Sequence, residues 1–191
     1  VAMVDVNCET DFVSKGDEFK SFAAAVAEAV LLADGEAVDD INALGLANGK
    51  TVDGVRREMI AKLGENITVR RVQKFVSQGG TACYLHGSRI GVIVELQKAD
   101  AALGKDIAMH VAATKPFCVG EENVPAEMIA KEKDIFSAQA AESGKPAAII
   151  EKMVTGRIKK YLAEVTLLGQ AFIKDDKQTV AKIVADQDNA V

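Results

Sequence analysis

Two histidines, three cysteines, two tyrosines and no tryptophan in 191 residues leave little from which to build a metal centre or a nucleophile with its base. Cys8, Cys83 and Cys118 are far apart and form no C-x-x-C, which speaks against both a disulfide framework and a zinc knuckle and fits a reducing compartment. No apolar run approaches the roughly 20 residues that a bilayer span needs, and neither a G-x-x-x-x-G-K-[ST] nor a G-x-G-x-x-G loop is present to cradle a nucleotide. Basic residues are also in the minority. With 23 Lys and Arg against 28 Asp and Glu, a surface devoted to phosphates is not expected, and Arg56-Arg57, Arg70-Arg71 and Lys159-Lys160 are too scattered to make one. His86 and His110 have no ligand-type neighbours at metal spacing and read as exposed or satisfied histidines. No metal, cofactor or enzymatic site is therefore expected. The opening Val-Ala-Met-Val-Asp-Val lacks the form of a secretory signal, so the Asn66-Ile67-Thr68 sequon carries no weight; a strand beginning at residue 1 reads as a piece of a longer polypeptide.

With 49% apolar and 27% charged residues the chain can bury a core. Val4 and Val6 alternate with Asp5 and Asn7 as in a half-buried strand. From Asp17, the stripe Phe19, Phe22, Ala23, Val26, Ala27, Val30 marks a helix to about Ala33, stopped at Asp34-Gly35. Residues 36–50 read as a short helical turn within a loop. Thr51 is a plausible N-cap for a second helix carrying Val52, Val55, Met59, Ile60 and Leu63, with Gly64 as its stop. The segments around Ile67–Arg70, Thr81–His86 and Arg89–Leu96 are strands, most simply a β-meander, with turns at Gln78-Gly79-Gly80 and Gly87. Gly104 to Thr114 is a helix ended by Lys115-Pro116.

Residues 125–165 differ in texture. Pro125 suits the first turn of a helix bearing Met128, Ile129, Ile135 and Phe136; Ser143-Gly144-Lys145-Pro146 breaks it; Ile149, Ile150, Met153, Val154, Ile158, Tyr161, Leu162 and Val165 form a second. So short a connection makes them antiparallel neighbours. Phe172-Ile173 is a short strand, and Val180, Ile183 and Val184 a last short helix. The strand-then-helix arrangement near the start resembles that around Arg89–Ala112, which suggests duplication; chance likeness between Ala-rich helices is the alternative. The expected class is α+β: two similar α/β subdomains with antiparallel sheets and an antiparallel helical-hairpin, or coiled-coil, arm. The divisions fall at 1–78, at 79–124 with 166–191, and at 125–165 for the arm.

One segment fits neither core nor ordinary turn. Glu9-Thr10-Asp11-Phe12-Val13-Ser14 links the first strand to the first helix and ought to be polar, yet holds Phe12 and Val13. Either residue could fold back on the helix as a hydrophobic staple. The other reading is an apolar wedge beside an acid, presented on a loop for insertion into a partner.

At this string the chain resembles the translation elongation factor Ts family of bacterial type. Val6-Asn7-Cys8-Glu9-Thr10-Asp11-Phe12-Val13 is similar to the family signature, and Gly64-Glu65-Asn66-Ile67-Thr68-Val69-Arg70-Arg71, His86-Gly87-Ser88-Arg89-Ile90-Gly91-Val92, Ile107-Ala108-Met109-His110-Val111-Ala112-Ala113 and Ser143-Gly144-Lys145-Pro146 follow in family order. Gln170-Ala171-Phe172 departs from a common Q-P-F, and the family's small N-terminal helical module is missing. The resemblance implies a guanine-nucleotide exchange factor for elongation factor Tu, binding its GDP-bound and nucleotide-free forms in the cytoplasm or an organellar matrix or stroma. It carries Thr10, Asp11, Phe12 and Val13 over as residues meeting that partner, with Asp11 and Phe12 reaching toward its switch and magnesium region, and His86 and Gly87 as a second contact. No membrane or nucleic-acid partner is implied; self-association stays open. The rival reading is a helical-hairpin scaffold or chaperone-like adaptor working through 125–165.

Overall fold

The computed structural model describes residues 1–35, 38 and 40–191. Strand β1 (Ala2–Asn7) leads through a short helix α1 (Asp11–Lys15) into α2 (Asp17–Leu32). A 3-10 turn at Ile41–Ala43 precedes α3 (Val52–Leu63), and β2 (Thr68–Lys74) returns beside β1. The helical turn expected within 36–50 is this one; Glu36, Ala37 and Asp39 lie outside the described residues.

β1 and β2 form a two-stranded antiparallel sheet with Val4 opposite Val72 and Val6 opposite Val69. Val69 and Val72 are three residues apart, so in a regular strand they would face opposite sides. A shift of register at Asp5/Val6 leaves Arg70 without an opposite residue and brings both valines onto the face that packs on α2. On the other face Asp5 takes Arg71 at 3.0 Å and Arg70 at 3.7 Å. Phe19, Phe22, Val26 and Val30 of α2, Val52 and Met59 of α3, and Ile67 complete this first core, with Val26, Val30, Val52 and Ile67 wholly excluded from solvent. Both ends of α3 follow the expectation: the Thr51 hydroxyl accepts from Gly54 N–H at 3.1 Å, and Gly64 closes the helix.

The expected meander is not formed. β3 (Gly80–His86) pairs with β4 (Ile90–Leu96) in a separate hairpin, and β2 pairs with β1. The Gln78-Gly79-Gly80 bend folds the chain onto the end of β4 instead of turning β2 into β3. A Cβ at Gly79 would lie 2.1 Å from the Leu96 carbonyl oxygen, and one at Gly80 would lie 2.5 Å from Ala99 Cα. Helix α4 (Ala101–Thr114) covers this hairpin, and a Cβ on its Gly104 would stand 2.5 Å from Ala82 Cβ, so the missing side chain sets how deeply helix and sheet approach. Val94, Leu96, Leu103, Ile107 and Ala108 join Leu167, Phe172, Val180 and Val184 in a second core. The last three come from β5 (Ala171–Phe172) and α7 (Val180–Asp186); β6 (Asp175–Thr179), which pairs with β5, has too few apolar residues to be legible as a strand.

Between α4 and β5 the chain departs as α5 (Ala126–Ala141) and returns as α6 (Ala147–Val165). Arg157 of α6 holds Gln139 of α5 at 2.8 Å and lies 5.7 Å over the Phe136 ring, while Met153, earlier on α6, is approached by Lys145 from the connection, so the partners run backward along the chain as α6 runs forward. The helices are thus antiparallel. At the hairpin's root, Phe117 N–H donates to Val165 at 2.8 Å and Leu167 N–H to Cys118 at 2.9 Å, holding outgoing and returning chain side by side. The class is α+β, as expected.

His110 is wholly buried beside Phe172. Ile173 N–H donates to its Nδ1 at 3.3 Å, which puts the proton on Nε2, 2.8 Å from the Gln170 Oε1 that accepts it. Burial pushes this histidine below its ordinary range; the Gln170 bond opposes that only in part. It is a satisfied core histidine, as the lack of neighbouring ligands predicted.

Candidate functional site

Of the Glu9–Ser14 segment expected to be a loop, Asp11–Ser14 are helical, as part of α1. Thr10 caps α1 by accepting from Val13 N–H at 3.4 Å, and Ser14 Oγ donates to the Asp11 carbonyl at 3.1 Å. A polar cap followed by an acid in the first turn is what a helix start requires; five residues is too short for a hydrophobic period to reveal it. The cap is itself braced: Thr10 N–H donates to Glu65 Oε2 at 2.9 Å, and the Thr10 hydroxyl bonds the other oxygen of that carboxylate. Glu65 follows the end of α3, so α1 is tied to a helix 55 residues away.

On this one turn, consecutive side chains point about 100° apart. Val13 faces inward and packs on the first core, whereas Phe12 is 91% exposed. Of the two apolar residues in the segment, then, Val13 is the one that folds back on the core and Phe12 is left to solvent. Among the described residues Phe12 is the most exposed of the large apolar side chains, on a helix held by a cap, a carboxylate brace and an inward-facing valine. Cys8, just before, donates its thiol to the Thr10 carbonyl at 3.4 Å; burial first and the Glu65 charge second push that thiol up.

Asp11 makes two ion pairs, with Lys15 Nζ at 3.2 Å and Arg89 Nη2 at 2.9 Å, and Lys15 first and Arg89 second hold its carboxyl below the usual carboxylate range. Arg89 lies in the β3–β4 turn. His86 ends β3, exposed, with its Nδ1 2.9 Å from the Tyr84 hydroxyl. Gly87 opens the turn at φ +60°, a conformation that a side chain would disfavour. Leu85, next to His86, is 70% exposed. The ion pair therefore ties the Thr10–Val13 group to the turn that carries His86 and Gly87.

Glu65 and Arg89 escaped the sequence reading as site residues. Both sit in strings that carry the family resemblance, but nothing in their spacing says that they meet residues 55 and 78 positions away. Among the described residues no group of three His, Cys, Asp or Glu could hold a metal, the three cysteines are unpaired, and no helix is long and apolar enough to cross a membrane.

Fold and site together define an α+β protein with an exposed aromatic side chain on a short, braced helix. Comparison with known proteins then identifies the family. The elongation factor Ts family model matches residues 9–191, and the chain belongs to that family. It is 60% identical to elongation factor Ts of Methylococcus capsulatus over 191 residues, all of this chain and 65% of that protein. It is 57% identical to that of Thioalkalivibrio sulfidiphilus over 96% of this chain and 63% of the relative. With the Nitrosomonas eutropha protein it shares 55% identity over 96% of this chain and 62% of the relative. The chain thus spans a little under two thirds of the length of these relatives.

Proposed function

We propose that this chain promotes guanine-nucleotide exchange on elongation factor Tu, with Asp11 and Phe12 on α1 as the intruding pair. The observation that carries the reading is Phe12, an almost wholly exposed ring on a helix braced by Glu65 and Val13. Exchange requires no base, nucleophile or metal of the chain's own. It requires only that the chain bind the nucleotide-free partner more tightly than the GDP-bound one; by linkage, GDP then weakens the chain's binding by the same factor. Phe12 meets that requirement if the surface receiving it opens only when nucleotide is absent, because its apolar burial is then gained in one state alone. Asp11 adds a carboxylate that competes for the partner's contacts around its magnesium ion, where the ion and phosphates dominate the local charge.

His86 and Gly87 supply a second contact, with Thr10 and Val13 holding the helix that presents the wedge. In this reading residues 1–78 form one half of the binding body, 79–124 with 166–191 the other, and 125–165 a projecting arm. The test is release of fluorescent GDP from purified factor Tu with and without this chain. Acceleration that rises with concentration supports the reading; no acceleration at saturating concentration refutes it. A scaffold acting through the arm would lose its partner on deletion of 125–165 and keep it on changing Asp11 or Phe12.

A further inference from the structure

The two cores touch along a narrow seam. Among the described residues, Asp11–Arg89 is the one ion pair that joins residues 1–74 to residues 80–191, and no other side-chain hydrogen bond crosses between those spans; within the link itself Ser77 Oγ donates to Glu95 on β4 at 2.7 Å. The ion pair's neighbour in the seam is apolar: a Cβ at Gly91 would lie 3.3 Å from Met3 Cε and 3.3 Å from Leu85 Cδ2, so β1 reaches the β3–β4 hairpin where β4 has no side chain. The covalent link, 75–79, bends sharply and spans the same gap.

From this we infer that Arg89 is a positioning residue. It clamps the β3–β4 turn to the start of α1, so that Phe12 and His86 are presented to one partner at one spacing. The inference rests on the proposed exchange function for the partner's identity, but its geometric part stands on the free chain alone.

Two features favour a positional role over a stabilising one. Arg89 and Asp11 side chains are 78% and 57% exposed, and exposed pairs add little to folding stability. Yet this pair spans 78 residues and connects bodies with separate cores, where even a weak contact selects among orientations that otherwise cost little to exchange. Because Asp11 is also held by Lys15 on its own helix, Arg89→Ala leaves the carboxylate paired and removes only the bridge.

The test compares wild type, Arg89→Ala and Arg89→Lys in two measurements. Residual dipolar couplings of the free chain report whether both cores follow a single alignment tensor. Wild type and Arg89→Lys should share one tensor; in Arg89→Ala the tensors of the two cores should separate while the melting temperature stays constant. GDP release from factor Tu at sub-saturating concentration should slow about fivefold in Arg89→Ala and recover in Arg89→Lys. A single tensor in Arg89→Ala overturns the inference, and if exchange slows in that case Arg89 is a direct contact. Unchanged exchange with separated tensors also overturns it, since spacing then has no consequence. Failure of the wild-type chain to accelerate release refutes the proposed function instead, and the couplings still decide the clamp.

Discussion

Replacing Phe12 by alanine separates burial in a partner from burial in the fold. In the free chain the ring is 91% exposed, so its removal withdraws almost no apolar surface from the core. Inside a partner it would pass from exposed to covered. Fully burying a phenylalanine side chain contributes about 1.5–3 kcal/mol, which at 1.4 kcal/mol per tenfold is roughly a 10- to 150-fold loss of affinity for the nucleotide-free partner. The α1 cap, Val13 and the Asp11 ion pairs do not depend on the ring and stay in place. Stopped-flow release of fluorescent GDP at sub-saturating chain should therefore slow by that factor. The melting temperature should move by less than the roughly 2–4 °C that 1 kcal/mol produces in a chain of this size. Release within twofold of wild type would refute the wedge. A melting temperature lowered by several degrees would refute it differently, by showing that Phe12 belongs to the core.

Gly104→Ala sets two effects against each other. Helix propensity favours alanine by up to about 1 kcal/mol, whereas the new methyl would stand 2.5 Å from Ala82 Cβ, an overpacking that costs about 1–3 kcal/mol. The clash should win, lowering the urea midpoint, and Ala82→Gly should relieve it; a raised midpoint would mean that α4 lifts off the sheet freely. His110 makes stability pH-dependent. Its folded-state affinity for a proton lies below the unfolded value near 6.5, so as pH falls past that value the unfolded chain takes up the proton first. The stability is present in full above about pH 6.5 and is lost below it. Melting temperatures between pH 7.5 and 5.5 should show this fall, and His110→Gln should flatten it; equal slopes in both proteins would place the titration elsewhere.

Much of the fold was legible because local rules governed it. Thr51 and Gly64 bound α3, Lys115 and Pro116 end α4, and the apolar stripe of α2 faces the core as its spacing required. Phe12 and Val13 were conspicuous as apolar residues in a polar connection, but a helix of five residues is too short to display a period, so which one points inward was not readable. Residues 175–179 form a strand through pairing with β5 alone, since Asp-Asp-Lys-Gln-Thr carries no apolar alternation.

The sequence by itself determined where elements begin and end, which faces are apolar, and that catalytic groups are scarce. Capping, backbone conformation and side-chain period act over a few residues and leave their mark there. Only the tertiary structure decided that β2 joins β1 and not β3, that one unopposed arginine lets Val69 and Val72 share a face, and that Asp11 meets Arg89. Those outcomes depend on which surfaces fit once two separate cores have formed. The preference of a strand for one partner, or of a carboxylate for one of 23 cations, is written in the packing of residues tens of positions apart.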